Sequence, residues 1–547
     1  MPSVHRAPGL PSGLHADLIR ELPGFLARQR WFGGKARSIH RVSVLDTVQL
    51  TTAPRSHLIV LKVRYTSGPP ERYLLALSCR NVPMDDGNAS GRPPLVKSRT
   101  RGNRVIVCHD GLYDHEVHRR LLALITRRQR IRGGHGSVIG ERGPALPRVL
   151  AQHEERDLPS ACRVLGSEQS NTALLYGDAL FLKVFRKLDE GIHPDVEFSR
   201  FLSETAAFTN VPPFAGTIEY QRRGHLPVAL GVLQGFVPNV GDGWRYALEL
   251  LTPYFERAGS ASLQRRAPGA PASPFTVART GWSSVEQRLI GAEATEMAVL
   301  LGRRTGELHR ALAADRRDPA FAPARCTLAY QRALARDGIA RAKETYRLLS
   351  RSLAGLPVAL KHEVRATLRL RNESLAKIRR LGAVRLSAPR IRCHGDYHLG
   401  QVLYTGNDFV IIDFEGEPTK PLAARRGKHP PLRDVAGMMR SFHYVAYAAL
   451  FQRGETGRHL ADLWPWAHVW YATMAGVFLR AYFDTLARSS LLPEDPAETV
   501  FWLETFLLDK ALYEAAYELN HRPDWLRIPL AGIREVITRS GRGSLRT

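Results

Sequence analysis

HGDYHLGQVLYTGNDFVIIDFEGEP, residues 394–418, sets three polar anchors at fixed intervals. Asp396 is followed five residues later by the amide of Gln401, and a short apolar run, Phe409-Val410-Ile411-Ile412, ends in Asp413. That run reads as a buried strand carrying Asp413 to the end of a sheet. Phosphoryl transfer from a nucleotide asks for this layout, because such a protein works by positioning and charge neutralisation rather than by covalent chemistry. Asp396, on a loop, is placed to accept the proton of an acceptor hydroxyl. Gln401 and Asp413 offer oxygens to Mg2+, a hard cation that takes few protein ligands and keeps several waters. A lone His-Gly-Asp is more often a turn; the amide, the strand and the second Asp in register favour the catalytic reading.

Such a loop needs a grip on ATP upstream. Gly166-Ser167-Glu168-Gln169-Ser170-Asn171-Thr172 is small and polar and runs into Ala173-Leu174-Leu175. It reads as a strand–turn–strand over the phosphates, with Ser170, Asn171, Thr172 and backbone N–H groups in place of a glycine-rich loop. After the turn at Tyr176-Gly177-Asp178 comes Ala179-Leu180-Phe181-Leu182-Lys183-Val184-Phe185, a strand with one Lys inside it. A Lys among apolar neighbours is costly unless paired. Its partners are expected to be the phosphates and Glu197, on a helix over 195–202, with Glu190 and Asp195 as competitors for that role. The strand Pro227–Leu233 leads into Gln234, Gly235, Phe236 and Val237, which have the form of a hinge whose backbone meets the adenine.

The segments EQSNTALLYGD, LFLKVFRK, FVPNVGDGWRYAL, LGRRTGELHRAL, CHGDYHLGQVL, VIIDFEGEP and PLRDVAGMMRSF resemble the maltokinases, within the aminoglycoside-phosphotransferase-like kinase superfamily. Trp31-Phe32-Gly33-Gly34-Lys35 is similar to the start of that family's N-terminal cap domain, and the resemblance extends over residues 22–533. It implies an α+β, bilobal protein-kinase-like fold with an extra N-terminal α+β cap and a large, mostly helical C-lobe. It further implies ATP- and Mg2+-dependent phosphorylation of maltose at its anomeric hydroxyl. The product, maltose 1-phosphate, would feed α-glucan synthesis from trehalose or maltose, with a trehalose synthase as a candidate partner. By similarity Asp396 is the base, Gln401 and Asp413 hold metal, and Lys183 and Glu197 form the phosphate-positioning pair. Gln401 stands where most relatives carry Asn, and the family shares that variation. Two alternatives stand beside this: a kinase of another small acceptor such as glucosamine, and a non-catalytic, pseudokinase-like interaction protein.

Sugar recognition combines aromatic faces with a few placed polar groups. A helix over 509–520 offers Lys510, Glu514 and Tyr517 on neighbouring turns, and these are the expected sugar contacts, with His398 beside the base. The competing reading is an ordinary i,i+4 Glu–Lys pair and packed tyrosines. Asp434 is expected to cap the helix that it opens and to tie it to the catalytic loop. His394 and His309 read as packing residues.

Composition is consistent with this division of labour. The chain has 547 residues, enough for two to four domains, expected as a cap over 1–105, an ATP-binding lobe over 106–238 and a helical lobe over 239–547. The stretches 85–103 and 259–274 read as loops. No apolar run is long enough to span a bilayer and no secretory signal is seen at the start, which points to the cytoplasm. The five cysteines are widely spaced and form no zinc or redox motif. Lys and Arg exceed Asp and Glu by 78 to 52, a net charge of +26, but the excess is spread as Arg pairs with no nucleic-acid-binding module, so no specific nucleic-acid role is expected.

Overall fold

The structure, a computed structural model, describes residues 10, 12–83, 93–100, 104–153, 157–166, 170–259, 273–384, 386–454 and 457–543. The chain divides into two compact units, one of residues 1–205 with 211–238, the other of 206–210 with 239–547.

The first unit opens with helix α1 (Ser12–Arg28), whose Leu14, Leu18, Leu22 and Leu26 recur at helical spacing and are buried. Strands β1 (Ile39–Thr52), β2 (Arg55–Tyr65), β3 (Glu71–Pro83), β4 (Val96–Arg99) and β5 (Arg104–Asp110) form an antiparallel sheet in the order β1-β2-β3-β5-β4. The boundary expected at 105 therefore falls inside β5, which completes this sheet. Cys79 and Cys108 lie opposite each other on β3 and β5 and are joined in a disulfide, a pairing that their spacing did not disclose.

Strands β2 and β3 read as almost unbroken apolar runs because both faces of their sheet are covered. Ile59, Leu61, Val63, Leu75 and Leu77 pack with α1, Trp31 and Phe32. The alternate residues Leu58, Val60, Leu74 and Ala76 enter a second core, shared with the sheet that follows. Gly34 has no side chain for a direct reason: a Cβ there would sit 2.2 Å from the Tyr65 hydroxyl.

Helix α2 (His115–Thr126) and strands β6 (Arg130–Arg132) and β7 (Ser137–Arg142) come next, then the short helix α3 (Leu146–Leu150). Strands β8 (Cys162–Leu165), β9 (Asn171–Tyr176) and β10 (Leu180–Phe185), a two-residue β11 (Lys187–Leu188), helix α4 (Pro194–Glu204), β12 (Phe214–Gln221) and β13 (Val228–Gly235) complete the unit. The second sheet runs β6-β7-β12-β13-β10-β9-β8, while β11 pairs with β3 of the first. Two buried charges fasten the sheets together. Asp46 of β1 accepts from the N–H groups of Thr47, Gly134 and His135 and from the Tyr220 hydroxyl. Arg186, 1 % exposed, donates to Thr172 and Asp110 and lies 4.7 Å over the Trp31 ring.

The second unit is helical around two small β elements. Strands β14 (Gly241–Asp242), β16 (Val402–Tyr404) and β17 (Phe409–Ile411) form one, and β15 (Ile391–Arg392) with β18 (Lys428–His429) the other. The longer helices of the unit are α5 (Gly243–Ala258), α6 (Ala292–Leu312), α7 (Leu328–Ser352), α8 (Leu432–Gln452), α9 (Gly457–Leu486), α10 (Pro496–His521) and α11 (Arg527–Gly543), with shorter ones between them. Helix α8 is buried along most of its length. Among the described residues no helix is long and apolar enough to cross a membrane. The loop expected over 259–274 lies largely outside the described residues; of the loop expected over 85–103, the described part contains strand β4, which pairs with β5.

Histidines held neutral by burial make stability depend on pH in both units, and His57 and His468 are examples. Burial, with Arg55 nearby, holds His57 down to about 4, and burial, with Arg539, does the same for His468. Both are neutral when folded, whereas the unfolded chain takes up protons near the ordinary 6.5. The unfolding free energy is therefore level in these groups above pH 6.5 and falls as pH drops towards 4, at up to ~1.4 kcal/mol per pH unit for each. Urea midpoints between pH 8 and 4 should show this fall, and His57→Gln should flatten it for the first unit; an unchanged slope would show that His57 does not titrate this way.

Candidate active site

The loop from Cys393 to Gln401 is held from beneath by one face of α8. Asp434, Gly437 and Ser441 lie three and four residues apart and so point the same way. Asp434, 2 % exposed, accepts from the N–H of His394 at 2.7 Å and of Gly395 at 3.0 Å. Ser441 Oγ accepts from Leu399 N–H, and Gly437 leaves room for the loop, since a Cβ there would meet the Tyr397 carbonyl at 2.6 Å. The helix cap expected of Asp434 is not formed: Pro431 holds that position with no side-chain cap, and the carboxylate turns to the loop, as the other half of the expectation had it. His309 contacts the same carboxylate at 3.4 Å while bonding the Tyr482 hydroxyl. Burial would raise the Asp434 pKa, but the His309 contact and the loop N–H groups bring it below the usual carboxylate value. His394 bridges the other way, with its ring 2.9 Å from the Ile412 carbonyl, next to Asp413.

This bracing leaves the Asp396 carboxylate directed into a pocket. Lys510 Nζ is 3.4 Å from it and His398 Nε2 is 4.0 Å away. His398 also accepts from Gly400 N–H, capping the turn that leads to Gln401. Gln401 and Asp413 meet as the spacing implied, the amide donating to the carboxylate at 2.9 Å. Asp413 has φ of +65°, a left-handed conformation that a side-chain-bearing residue holds at a cost and that recurs at functional sites. Here the Gln401 amide turns its nitrogen to Asp413; as metal ligands the two side chains would offer only oxygens, the donor type that fits Mg2+.

The pocket holds about 580 Å³ of space, its open mouth included. Asp396, Glu417, Lys420, Arg341, Asp509, Lys510 and Tyr513 line it. Its charges come in pairs: Arg341 grips Asp509 through two bonds of 2.9 Å, and Lys420 sits 2.5 Å from Glu417. Burial works against the Lys510 charge, but Asp396, Glu514 and Glu417 outweigh it and raise the pKa, so the ammonium stays protonated.

Of the sugar contacts expected on α10, Lys510 reaches the pocket and the other two do not. The face turned inward carries Phe506, Asp509, Lys510 and Tyr513; Glu514 falls about 100° round from Tyr513. Its carboxylate is bound by Arg440, at 2.6 and 3.0 Å, in a buried pair. Tyr517 is 44 % exposed and stacks on His521. The inward face was readable from the i, i+3, i+7 spacing of Phe506, Asp509 and Tyr513. Arg341 had no local signal.

In the first unit, Lys183 of β10 is buried and forms its ion pair with Asp195, at 3.1 Å, rather than with the expected Glu197. Pro194 starts α4, and residues two apart on a helix face nearly opposite ways, so Asp195 is buried while Glu197 is half-buried. Asn171 and Thr172 are buried at the start of β9, where Thr172 receives Arg186; Ser170 is exposed, and residues 167–169 lie outside the described residues. The Gln234 side chain donates to Ser199, and the residue is paired in the sheet with Phe181 on one side and Phe214 on the other. Gly235 and Phe236 N–H groups bond Pro213 and Ala179, and Val237 follows half-buried.

With this geometry established, relatives can be placed. Residues 275–467 match the phosphotransferase enzyme family and residues 25–114 match the maltokinase N-terminal cap domain. Solved glucosamine kinases share the fold: one in complex with glucosamine, ADP and inorganic phosphate has a TM-score of 0.59 at 20% identity over 92% of this chain and 96% of its own. A second crystal form gives a TM-score of 0.57 over 95% and 100%. The fold is thus α+β and kinase-like. The two family matches support a maltokinase-like member of the aminoglycoside-phosphotransferase-like kinase superfamily. A glucosamine kinase of Mycolicibacterium smegmatis is 28% identical over 375 residues, 68% of this chain and 78% of the relative. One from Streptacidiphilus jiangxiensis is 30% identical over 149 residues, 27% and 32% of the two chains. These matches support a sugar kinase.

Proposed function

We propose that the protein is a maltokinase, transferring the γ-phosphoryl group of ATP to the anomeric hydroxyl of maltose and so supplying maltose 1-phosphate for α-glucan synthesis. The observation that carries this is the Asp396 pocket, where a braced carboxylate faces a cavity lined by polar and charged groups together with Tyr397, Tyr513 and Phe506. The acceptor oxygen forms a bond to the γ-phosphorus, the bond to ADP breaks, and the acceptor proton passes to Asp396. Lys183, fixed by Asp195, would steady the phosphates; Ser170, Asn171 and Thr172 would lie beside them, and Gln234 to Val237 would offer backbone to the adenine. Gln401 and Asp413 would hold Mg2+, which would neutralise charge on the phosphoryl oxygens. His398 would orient the Asp396 carboxylate.

The named relatives bring glucosamine forward as the second acceptor. The pairing of charges favours a neutral sugar. Asp509 and Glu417 are each already matched by a cation, Lys510 stands beside Asp396, and the fourth lining carboxylate, Asp434, is taken up by the loop N–H groups and His309, which leaves little for an ammonium on the sugar. Hydroxyl groups, by contrast, can bond both members of an Arg–Asp or Lys–Glu pair. ADP release with ATP and Mg2+ should rise with maltose and stay near background with glucosamine. The reverse pattern would replace maltose by the amino sugar, and no release with any sugar of a panel would remove the kinase assignment.

A further inference from the structure

A second cleft in the helical unit takes no part in this chemistry. It lies at the C-terminal ends of α6 and α9 and holds about 2150 Å³ of space, open solvent included, against about 580 Å³ at Asp396. Four arginines line it: Arg310 in the last turn of α6, Arg316 and Arg325 in the segment that follows, and Arg488 just beyond α9. All four are exposed. Among the described residues none of them forms an ion pair, although other arginines of the unit do, such as Arg304 with Asp408 and Arg341 with Asp509. The adjacent carboxylate, Glu498, is held instead by the backbone and hydroxyl of Ser387. Cations at a helix C-terminus offset its dipole, which accounts for Arg310 but not for Arg316 and Arg325 in the connecting segment.

The remaining lining narrows the ligand. No aromatic side chain lines the cleft, so it offers nothing for nucleotide bases to stack on. Leu386, Leu491 and Pro323 put apolar surface between the guanidinium groups. Its size suits an extended chain better than a single phosphate. Arginine interspersed with apolar surface is the composition of protein-binding patches, and the guanidinium fork matches carboxylates in two-point bonds.

We propose that this cleft docks an acidic peptide segment of another protein, its carboxylates on the four arginines and its apolar side chains on Leu386, Leu491 and Pro323. The test uses the full-length chain and a fluorescein-labelled peptide of alternating Glu and Leu, followed by anisotropy. The double variant Arg316→Ser/Arg488→Ser should weaken binding at least ~5-fold, whereas Arg365→Ser/Arg369→Ser, which removes the same charge from exposed positions elsewhere, should change it less than ~2-fold. Sugar-dependent ADP release should be the same in both variants as in the parent, which certifies their fold independently of the peptide. Three results would overturn the proposal: no binding to the parent chain, equal weakening in both variants, or stronger competition from a DNA duplex of equal charge than from unlabelled peptide. The second would trace binding to the +26 net charge as a whole, and the third would make the cleft a nucleic-acid surface.

Discussion

Asp396→Asn is expected to lower kcat by about 10²–10⁴-fold while leaving the ATP dissociation constant almost unchanged. The substitution is nearly isosteric, and the loop around it is secured elsewhere. Asp434, His394 and Ser441 hold the backbone on either side, and none of those bonds involves the Asp396 side chain. What disappears is a proton acceptor, needed only as the acceptor hydroxyl attacks. Lys510, 3.4 Å from the carboxylate in the parent, loses a counter-charge, so a moderate change in the apparent KM for sugar is expected as well. Steady-state kinetics combined with nucleotide titration separates the two effects. Parallel loss of ATP binding and turnover would make Asp396 a structural residue.

Glu514→Ala is expected to act on stability and not on the sugar. The side chain of Arg440 is 3% exposed and its guanidinium is held by Glu514 through two bonds. Gly532 of α11 closes against the same guanidinium, so closely that a Cβ there would lie 2.2 Å from Arg440 Nη1. Removing the carboxylate leaves a charge in a site with no room to reach water, at a cost of about 3–5 kcal/mol. Denaturant midpoints should therefore fall sharply while the KM for the preferred sugar changes less than ~2-fold in the folded fraction. Glu514→Gln, which still accepts from Arg440, should recover part of the loss. A raised KM with unchanged stability would return Glu514 to the substrate site.

The pairings that the sequence spacing anticipated and those it did not differ in the distance of the partners. Gln401 and Asp413 lie on one loop–strand–loop segment, so their spacing alone brought them together. Glu514 was misassigned because an i,i+4 Glu–Lys pair looks the same whether it lines a pocket or flanks one, and the partner that decides is 74 residues earlier in the chain. The two acids after β10 were separable only through the phase of α4, which Pro194 sets by starting the helix. Arg341 is 168 residues from Asp509, in a helix with several exposed arginines, and nothing local distinguishes it. The strands β2 and β3 were legible from their apolar runs, but an unbroken run cannot say which alternate residue faces which core.

That double-sided packing bears on how the protein is made and how it can change. Leu58, Val60, Leu74 and Ala76 fill the same core as Leu180, Leu182 and Val184, the neighbours of Lys183. The nascent chain thus presents the cap strands early but cannot bury their second face until the later sheet has been synthesised. A newly made cap waits with apolar surface exposed, which makes this interval the one where assistance from chaperones would matter. The same interlock constrains descent: a lineage that discarded the cap would have to rebuild the floor beneath the second sheet in the same step.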